Sequence, residues 1–338
     1  MRNRLLLALL AIILLAACEK TFLSSDPDPT PVKTFEVFWS DMDRFYSYFE
    51  LKNVNWDFVY EQYRPKVNNE IGEDSLRRVL GQMIQLLKDG HVSLYADTRV
   101  ETFSKWKEGV PENFNWNVVR RYLSDVRVTN GILYARLTSS TGYIYIETFS
   151  GGGFQAFHEV MEVMGSYDAL IIDIRNNGGG SDRNSREVAQ YFTRKQRLFR
   201  YHRYRNGPAH DDFTPWEKAV LKPAEALHYT KPVAVLTNRS VFSAAEDFCL
   251  AMQVTPHATL VGDTTGGGAG NPVYRELPNG WTFRLSRWQS VNRDFVHYEG
   301  RGIYPDIPVW ISSEDNIRRR DSILETAYYH LQDRIGNE

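Results

Sequence analysis

A serine, a histidine and a glycine-rich turn carry the chemistry open to this chain. Ser243 follows Val233-Ala234-Val235-Leu236-Thr237, an apolar run that reads as a buried strand, and it opens a helix reaching to about Gln253. A serine at a helix N-terminus has free amides beside it and the positive end of the helix dipole. Both stabilise an oxyanion during acyl transfer. The same residues spell Ser243-x-x-Glu246, a capping box, so helix capping explains this stretch on its own terms. The G-x-S-x-G elbow of α/β-hydrolases is absent, which weakens an esterase reading built on Ser243 with His297 or His330. A second turn, Asn176-Asn177-Gly178-Gly179-Gly180, follows the strand Ala169–Ile174. Its glycines permit positive φ, so amide N–H groups can converge on an anion. His91, after Lys88-Asp89-Gly90, is the third element and could act as a general base. Paired Cys/His spacings are lacking, so neither a metal nor another cofactor is expected.

The elements that must position these residues follow from periodicity. Residues 35–88 show helical spacing, with a second long helix opening at Asp74 and ending before Gly90. His91 to Tyr95 reads as a strand. From about Asp125 the period is strand-like over 126–128, 132–137 and 143–148. A helix over Phe154–Met164 then alternates with the two apolar strands already named. Apolar strands alternating with helices imply βαβ units and a mixed sheet flanked by helices. Ligand sites in such sheets lie beyond the carboxyl ends of strands, where both turns fall. The expected division is 35–115 for a helical N-terminal region ending in the His-bearing turn, and 116–338 for the core.

The first residues read as a targeting signal. Arg2 and Arg4 precede an apolar run over residues 5–15, too short to span a membrane, and Leu15-Ala16-Ala17-Cys18 closes it. The pattern resembles a bacterial lipobox. It predicts a signal peptide over 1–17, lipidation of Cys18, and a Pro/Ser/Asp-rich tether over 18–34 leading to a membrane anchor. Cys249, the other of 2 cysteines, is then unpaired and expected to be a buried small hydrophobe. The formal net charge of −2 gives no basic surplus for nucleic acid. The local run over 194–205, with six Arg or Lys, reads as a solvated face.

Five motifs in chain order resemble one family. They are Asp89-Gly90-His91; Asp173-x-Arg175-x-Asn177-Gly178-Gly179-Gly180; Ser243-x-x-Glu246; Gly262-Asp263-x-Thr265-Gly266-Gly267; and Glu299-Gly300-x-Gly302-Ile303-x-Pro305-Asp306. Together they look like the tail-specific or C-terminal processing serine peptidases, and within them the branch of the tricorn core. The resemblance implies a ClpP/crotonase-like α/β core and hydrolysis of protein or peptide substrates through an acyl-enzyme. The lysine of the Ser–Lys members aligns with Gly268, and no lysine follows Lys231. A Ser–His system is therefore implied, with Ser243 as nucleophile, His91 as base and Glu299 in support. The implied oxyanion donors are the N–H groups of Gly179 or Gly178 and of Ala244. Glu246 is assigned to capping. Gly90 stands where the tricorn branch has a serine, and no PDZ module is recognisable. The same fold family includes a retinoid carrier of the eye, so a catalytically inactive homologue carrying peptide or lipid is the alternative.

Overall fold

A computed structural model describes residues 28–336. Cys18 and the signal segment lie outside the described residues. Among the described residues no helix is long and apolar enough to cross a membrane. The first helix among the described residues, α1 (Pro31–Phe45), begins inside the expected tether, because Thr30 accepts the Lys33 N–H at 3.2 Å and Pro31 is preset for a first helical turn. It is followed by α2 (Trp56–Tyr63) and α3 (Glu73–Leu87), which presents Leu76, Leu80, Met83, Ile84 and Leu87 to the core at helical spacing.

The central sheet has seven strands. Along the chain they are β3 (Ser124–Thr129), β4 (Ile132–Arg136), β5 (Thr141–Tyr145), β6 (Ala169–Asp173), β9 (Val233–Thr237), β10 (Ala258–Gly262) and β14 (Ile307–Pro308). Their spatial order is β14-β10-β9-β6-β5-β4-β3. The five from β14 to β5 are parallel, and β4 and β3 extend the sheet antiparallel. Alternation along a strand explains why the inner strands are apolar throughout. In β6, Leu170 and Ile172 enter one core and Ala169 and Ile171 the other; in β9, Val233 and Val235 part in the same way from Ala234 and Leu236. After α4 (Trp116–Val119), α5 (Phe157–Met164) and α6 (Asp182–Ala189), the helix α7 (Ala244–Gln253) covers the first face, and beyond α8 (Ser313–Arg318), α9 (Ser322–Ile335) covers the second through Ile323, Leu324, Ala327 and Leu331. Cys249 is buried and unpaired in α7.

Two smaller sheets complete the molecule. The first joins β1 (Ser93–Ala96) and β2 (Arg99–Thr102) to β11 (Pro272–Glu276) and β12 (Thr282–Ser286), in the order β11-β12-β1-β2. The strand expected after His91 is present as β1, β2 adds a second within the region to residue 115, and the sheet joins them to strands far along the chain. The second, β13-β7-β8, comprises β7 (Arg197–Tyr204), β8 (Glu217–Leu221) and β13 (Trp288–Asn292). The basic run lies on β7, but the solvated-face expectation fails at Arg200 and Arg205, which are both buried. Arg200 pairs with buried Asp247, and Arg205 donates to main-chain oxygens of Tyr46 and Asp43. Charge-assisted bonds to buried partners offset the cost of removing these guanidiniums from water.

Candidate active site

The parallel pairing of β6 with β9 sets Asp173 opposite Leu236. The two turns named from the sequence therefore emerge side by side. Each is anchored from below and tied to the other. Arg175 is fully buried, gripping Asp173 through Nε and Nη2 and Asp321 through Nη1, while Tyr143 donates to Asp173 at 2.7 Å. Between the turns, Asn238 Nδ2 donates to Asn176 Oδ1 at 2.7 Å and Asn238 Oδ1 accepts the Asn176 N–H at 3.0 Å. Asn177 O accepts the Phe242 N–H at 3.1 Å.

Ser243 sits at the N-cap of α7 with φ 58° and ψ −124°. A non-glycine residue in this region is strained and persists only where its surroundings overdetermine it. Glu246 supplies much of that constraint. Its buried carboxylate accepts the Ser243 N–H at 3.0 Å, the Thr265 hydroxyl at 2.5 Å, and the N–H groups of Gly267 and Gly268 at 2.8 and 2.6 Å. Burial raises its pKa, and those four donors oppose the rise. Glu246 thus does more than cap a helix: it pins the 265–268 segment against the serine. Glu246→Ala would leave several buried donors unpaired, and the expected loss is at least about 3 kcal/mol of unfolding free energy. Urea unfolding measures it, and a loss below about 1 kcal/mol would refute the keystone role.

The glycine turn presses on the same serine. Gly179 has φ +102°, and a Cβ there would lie 2.7 Å from Phe242 O and 2.8 Å from Ser243 Cβ. Its amide is already engaged, donating to Asn177 Oδ1 at 2.9 Å. Among the described residues the neighbouring Gly180 N–H has no hydrogen-bond acceptor, and Gly180, Ser243 and Ala244 all line one cavity of about 260 Å³. Ala244, the first helical residue of α7, has no intrahelical acceptor for its N–H. Gly180 and Ala244 line this cavity, whereas Gly178, whose N–H likewise has no partner among the described residues, and Gly179 do not. Trp288, Tyr298 and the Arg200–Asp247 pair form its other walls.

His91 is buried, and its ring packs on Phe242 with centroids 4.6 Å apart. Its main-chain N–H donates to Asp89 Oδ1 at 2.8 Å, while Asp89 Oδ2 accepts from Tyr46 and Ser286. Nδ1 is buried without a hydrogen-bond partner. Burial lowers the His91 pKa to about 4; Asp89 opposes this, while Arg284 and Lys52 add to it. The imidazole is consequently neutral at pH 7, the state a base requires. No hydrogen bond joins it to the Ser243 hydroxyl in the substrate-free arrangement among the described residues. Catalytic hydrogen bonds often tighten only with substrate bound.

Phe242 also explains two departures from the family pattern. A Cβ at Gly268 would lie 2.3–2.5 Å from the Phe242 ring, and one at Gly90 would lie 3.0 Å from it and 2.9 Å from Trp106 Nε1. Trp106 stacks on Phe242 at 4.8 Å. The stacked pair occupies the space that a lysine at 268 or a serine at 90 would need.

Glu299, 6% exposed, accepts the Ala269 N–H at 2.8 Å through Oε2 and pairs with Lys52 Nζ at 2.8 Å through Oε1. Burial raises its pKa, as does Asp89, while Lys52 and the Ala269 amide pull it back. Asp89, His91 and Glu299 bring one ligand-type atom each within 4.8 Å of one another. Such a trio could face a cation, but Lys52 already neutralises Glu299, and Asp89 already accepts three donors. The cluster is better suited to handling a proton than to holding a metal. Sequence reasoning missed Lys52, Phe242 and Trp106, which belong to no recognisable motif and reach the site only through the fold.

Comparison with known proteins bears on the family of this chain. Residues 140–309 match the model of peptidase family S41, and residues 30–85 match the tricorn protease C1 domain. The carboxy-terminal processing protease CtpA of Bacillus subtilis is 26% identical over 166 residues, covering 48% of this chain and 34% of the relative. The tricorn protease of Thermoplasma acidophilum is 24% identical over 221 residues, covering 64% of this chain and 19% of its own. The chain thus spans about a third or less of the length of these two curated relatives. A crystal structure of a candidate peptidase from Parabacteroides merdae superposes with a TM-score of 0.83 at 37% identity, covering 89% of this chain and 96% of that one. Half of the sequence falls within one family model and nearly all of it follows a clearly related structure, so the chain belongs to peptidase family S41.

Proposed function

We propose that this protein is a serine endopeptidase of the bacterial cell envelope, held to the membrane by a lipid on Cys18. The observation that carries the catalytic reading is the strained backbone of Ser243, held by Glu246 against Gly179 and beside the free amides of Gly180 and Ala244. Strain of this kind concentrates at functional sites. A helix cap alone has no need of it.

His91 takes the proton from Ser243 Oγ as the hydroxyl attacks the scissile carbonyl. The oxyanion forms against the Ala244 N–H and the glycine turn, where the Gly180 amide is free. As the tetrahedral species collapses, the imidazolium protonates the leaving amine and an acyl-enzyme remains. A water molecule, deprotonated by His91, then releases the acid. Lys52 does not compete for the role of base. Burial works to lower its pKa, but Glu299 and Asp89 outweigh this and hold it above its ordinary value.

A fluorophosphonate probe is expected to label the wild-type chain, with the adduct mapped to the peptide containing Ser243, and the chain is expected to degrade casein. An intact fold that is neither labelled nor active would instead support a carrier. For the anchor, Cys18→Ser is expected to move the protein from the detergent phase to the aqueous phase on Triton X-114 partitioning. Retention in the detergent phase with an unchanged lipid adduct mass would refute attachment at Cys18.

A further inference from the structure

Lys52 brings a largely buried side chain and its ammonium to the site, and the reaction steps above make no use of it. It lies in the loop between α1 and α2, and its side chain is 10% exposed. Besides Glu299 Oε1, its Nζ contacts Lys88 O at 3.0 Å. Lys88 is the left-handed cap of α3 (φ 48°, ψ 41°) and begins the turn that carries His91. Lys52 therefore bridges the two segments that bring His91 and Glu299 together. Tyr46 and Tyr48 face Glu299 from the N-terminal segment, Asp89 and His91 face it from the turn, and Arg284 faces His91 from β12. Two carboxylates this close in a buried site do not both stay ionised without a nearby cation.

We propose that Lys52 is a positioning residue of the peptidase reaction: its ion pair favours the carboxylate form of Glu299 and fixes it beside the Ala269 amide, so that a larger share of the enzyme offers His91 a charged partner when it takes the serine proton. This rests on the reading of Ser243 and His91 as nucleophile and base. Without the ammonium, burial and Asp89 drive a proton onto Glu299. A neutral carboxyl no longer offsets an imidazolium. The purely structural alternative is that Lys52 only ties its loop to the turn.

The test uses the full chain on fluorescently labelled casein, with rates followed against pH and the fold followed by circular dichroism. Lys52→Met is expected to lower kcat about 10- to 100-fold near pH 7, somewhat less than loss of a direct oxyanion donor, with KM within about two-fold. The deficit should shrink as pH rises, because the limb on which Glu299 ionises moves up by about one unit or more. Lys52→Arg, which keeps the cation, should restore most of the rate. In a Glu299→Gln background, Lys52→Met should cost no further rate, since its effect runs through Glu299. An unshifted pH profile in Lys52→Met, or a further loss of about ten-fold in the Glu299→Gln background, would overturn the proposal. If Lys52→Met does not fold, the double variant, which has no lone Glu299 carboxylate, decides by the same comparison with Glu299→Gln. If the double variant also fails to fold, Lys52 is structural and the proposal falls. Failure of the underlying reading is distinguishable, because Ser243 would then go unlabelled in the wild type whatever the Lys52 variants do.

Discussion

Replacing Ser243 with alanine will abolish hydrolysis and fluorophosphonate labelling while leaving the protein folded. Alanine keeps the Cβ, so the strained backbone at φ 58° is asked of a side chain that blocks it no more than serine does. The bonds that hold this position survive, because Glu246 grips the main-chain N–H of residue 243 rather than its hydroxyl. The stability change should stay within the range of a lost helix cap, about 0.5–2 kcal/mol. Removing the nucleophile, by contrast, should cost about 10⁴- to 10⁶-fold in kcat. The two quantities are read on one preparation, by casein turnover and by thermal unfolding. A variant that hydrolyses near-normally and melts earlier would show that Ser243 is only a cap.

The contrast between Ser243 and its neighbours shows what a sequence can disclose. The two turns were legible because each follows a short apolar strand, and βαβ chemistry places strand ends where ligands bind. Their adjacency, through the pairing of β6 with β9, follows from the same rule. Hidden from the sequence was which amide of the glycine turn is already engaged. Asn177 takes up the Gly179 N–H, and that is decided by one side-chain rotamer. The strain at Ser243 was also hidden, because it comes from Glu246 and a segment over twenty residues further on. Lys52 was harder still: nothing in Phe49-Glu50-Leu51-Lys52 marks it as different from any surface lysine, and only long-range packing buries it against Glu299. The basic run on β7 shows the opposite error, since a charge run is normally solvated, yet Arg200 is buried because Asp247 on α7 lies against it.

His91 carries the second large effect, and the structure alters what its pH dependence should look like. An ordinary imidazole would place the acid limb of kcat/KM, which reports the free enzyme, near 6.5. Burial lowers His91 to about 4. The base must be neutral, and a lowered pKa keeps it neutral as pH falls, so its limb belongs near 4 and none of the profile near 6.5 should arise from the imidazole. A higher limb is expected from Glu299, whose carboxyl is raised first by burial and then by Asp89. Glu299→Gln separates the two, removing the upper limb and leaving the lower. Folding stability should decline over the same acid range, because the unfolded chain binds a proton at the ordinary histidine value and the folded chain does so only near 4. The fold must therefore be monitored while the lower limb is measured. His91→Ala should lower kcat about 10²- to 10⁴-fold at every pH. A limb near 6.5 that persists in Glu299→Gln would mean that the working enzyme exposes His91 to water. A His91→Ala variant with most of its activity would remove the imidazole as base, and none of Lys52, Lys88 and Lys231 is placed to replace it. Lys88 is exposed, Lys231 donates to Tyr167 O before the opposite end of β9, and Lys52 is held protonated by Glu299 and Asp89. Near-normal turnover without His91 would thus require a base other than these groups, and the packing of the imidazole on Phe242, next to the serine in the chain, would lose its catalytic meaning.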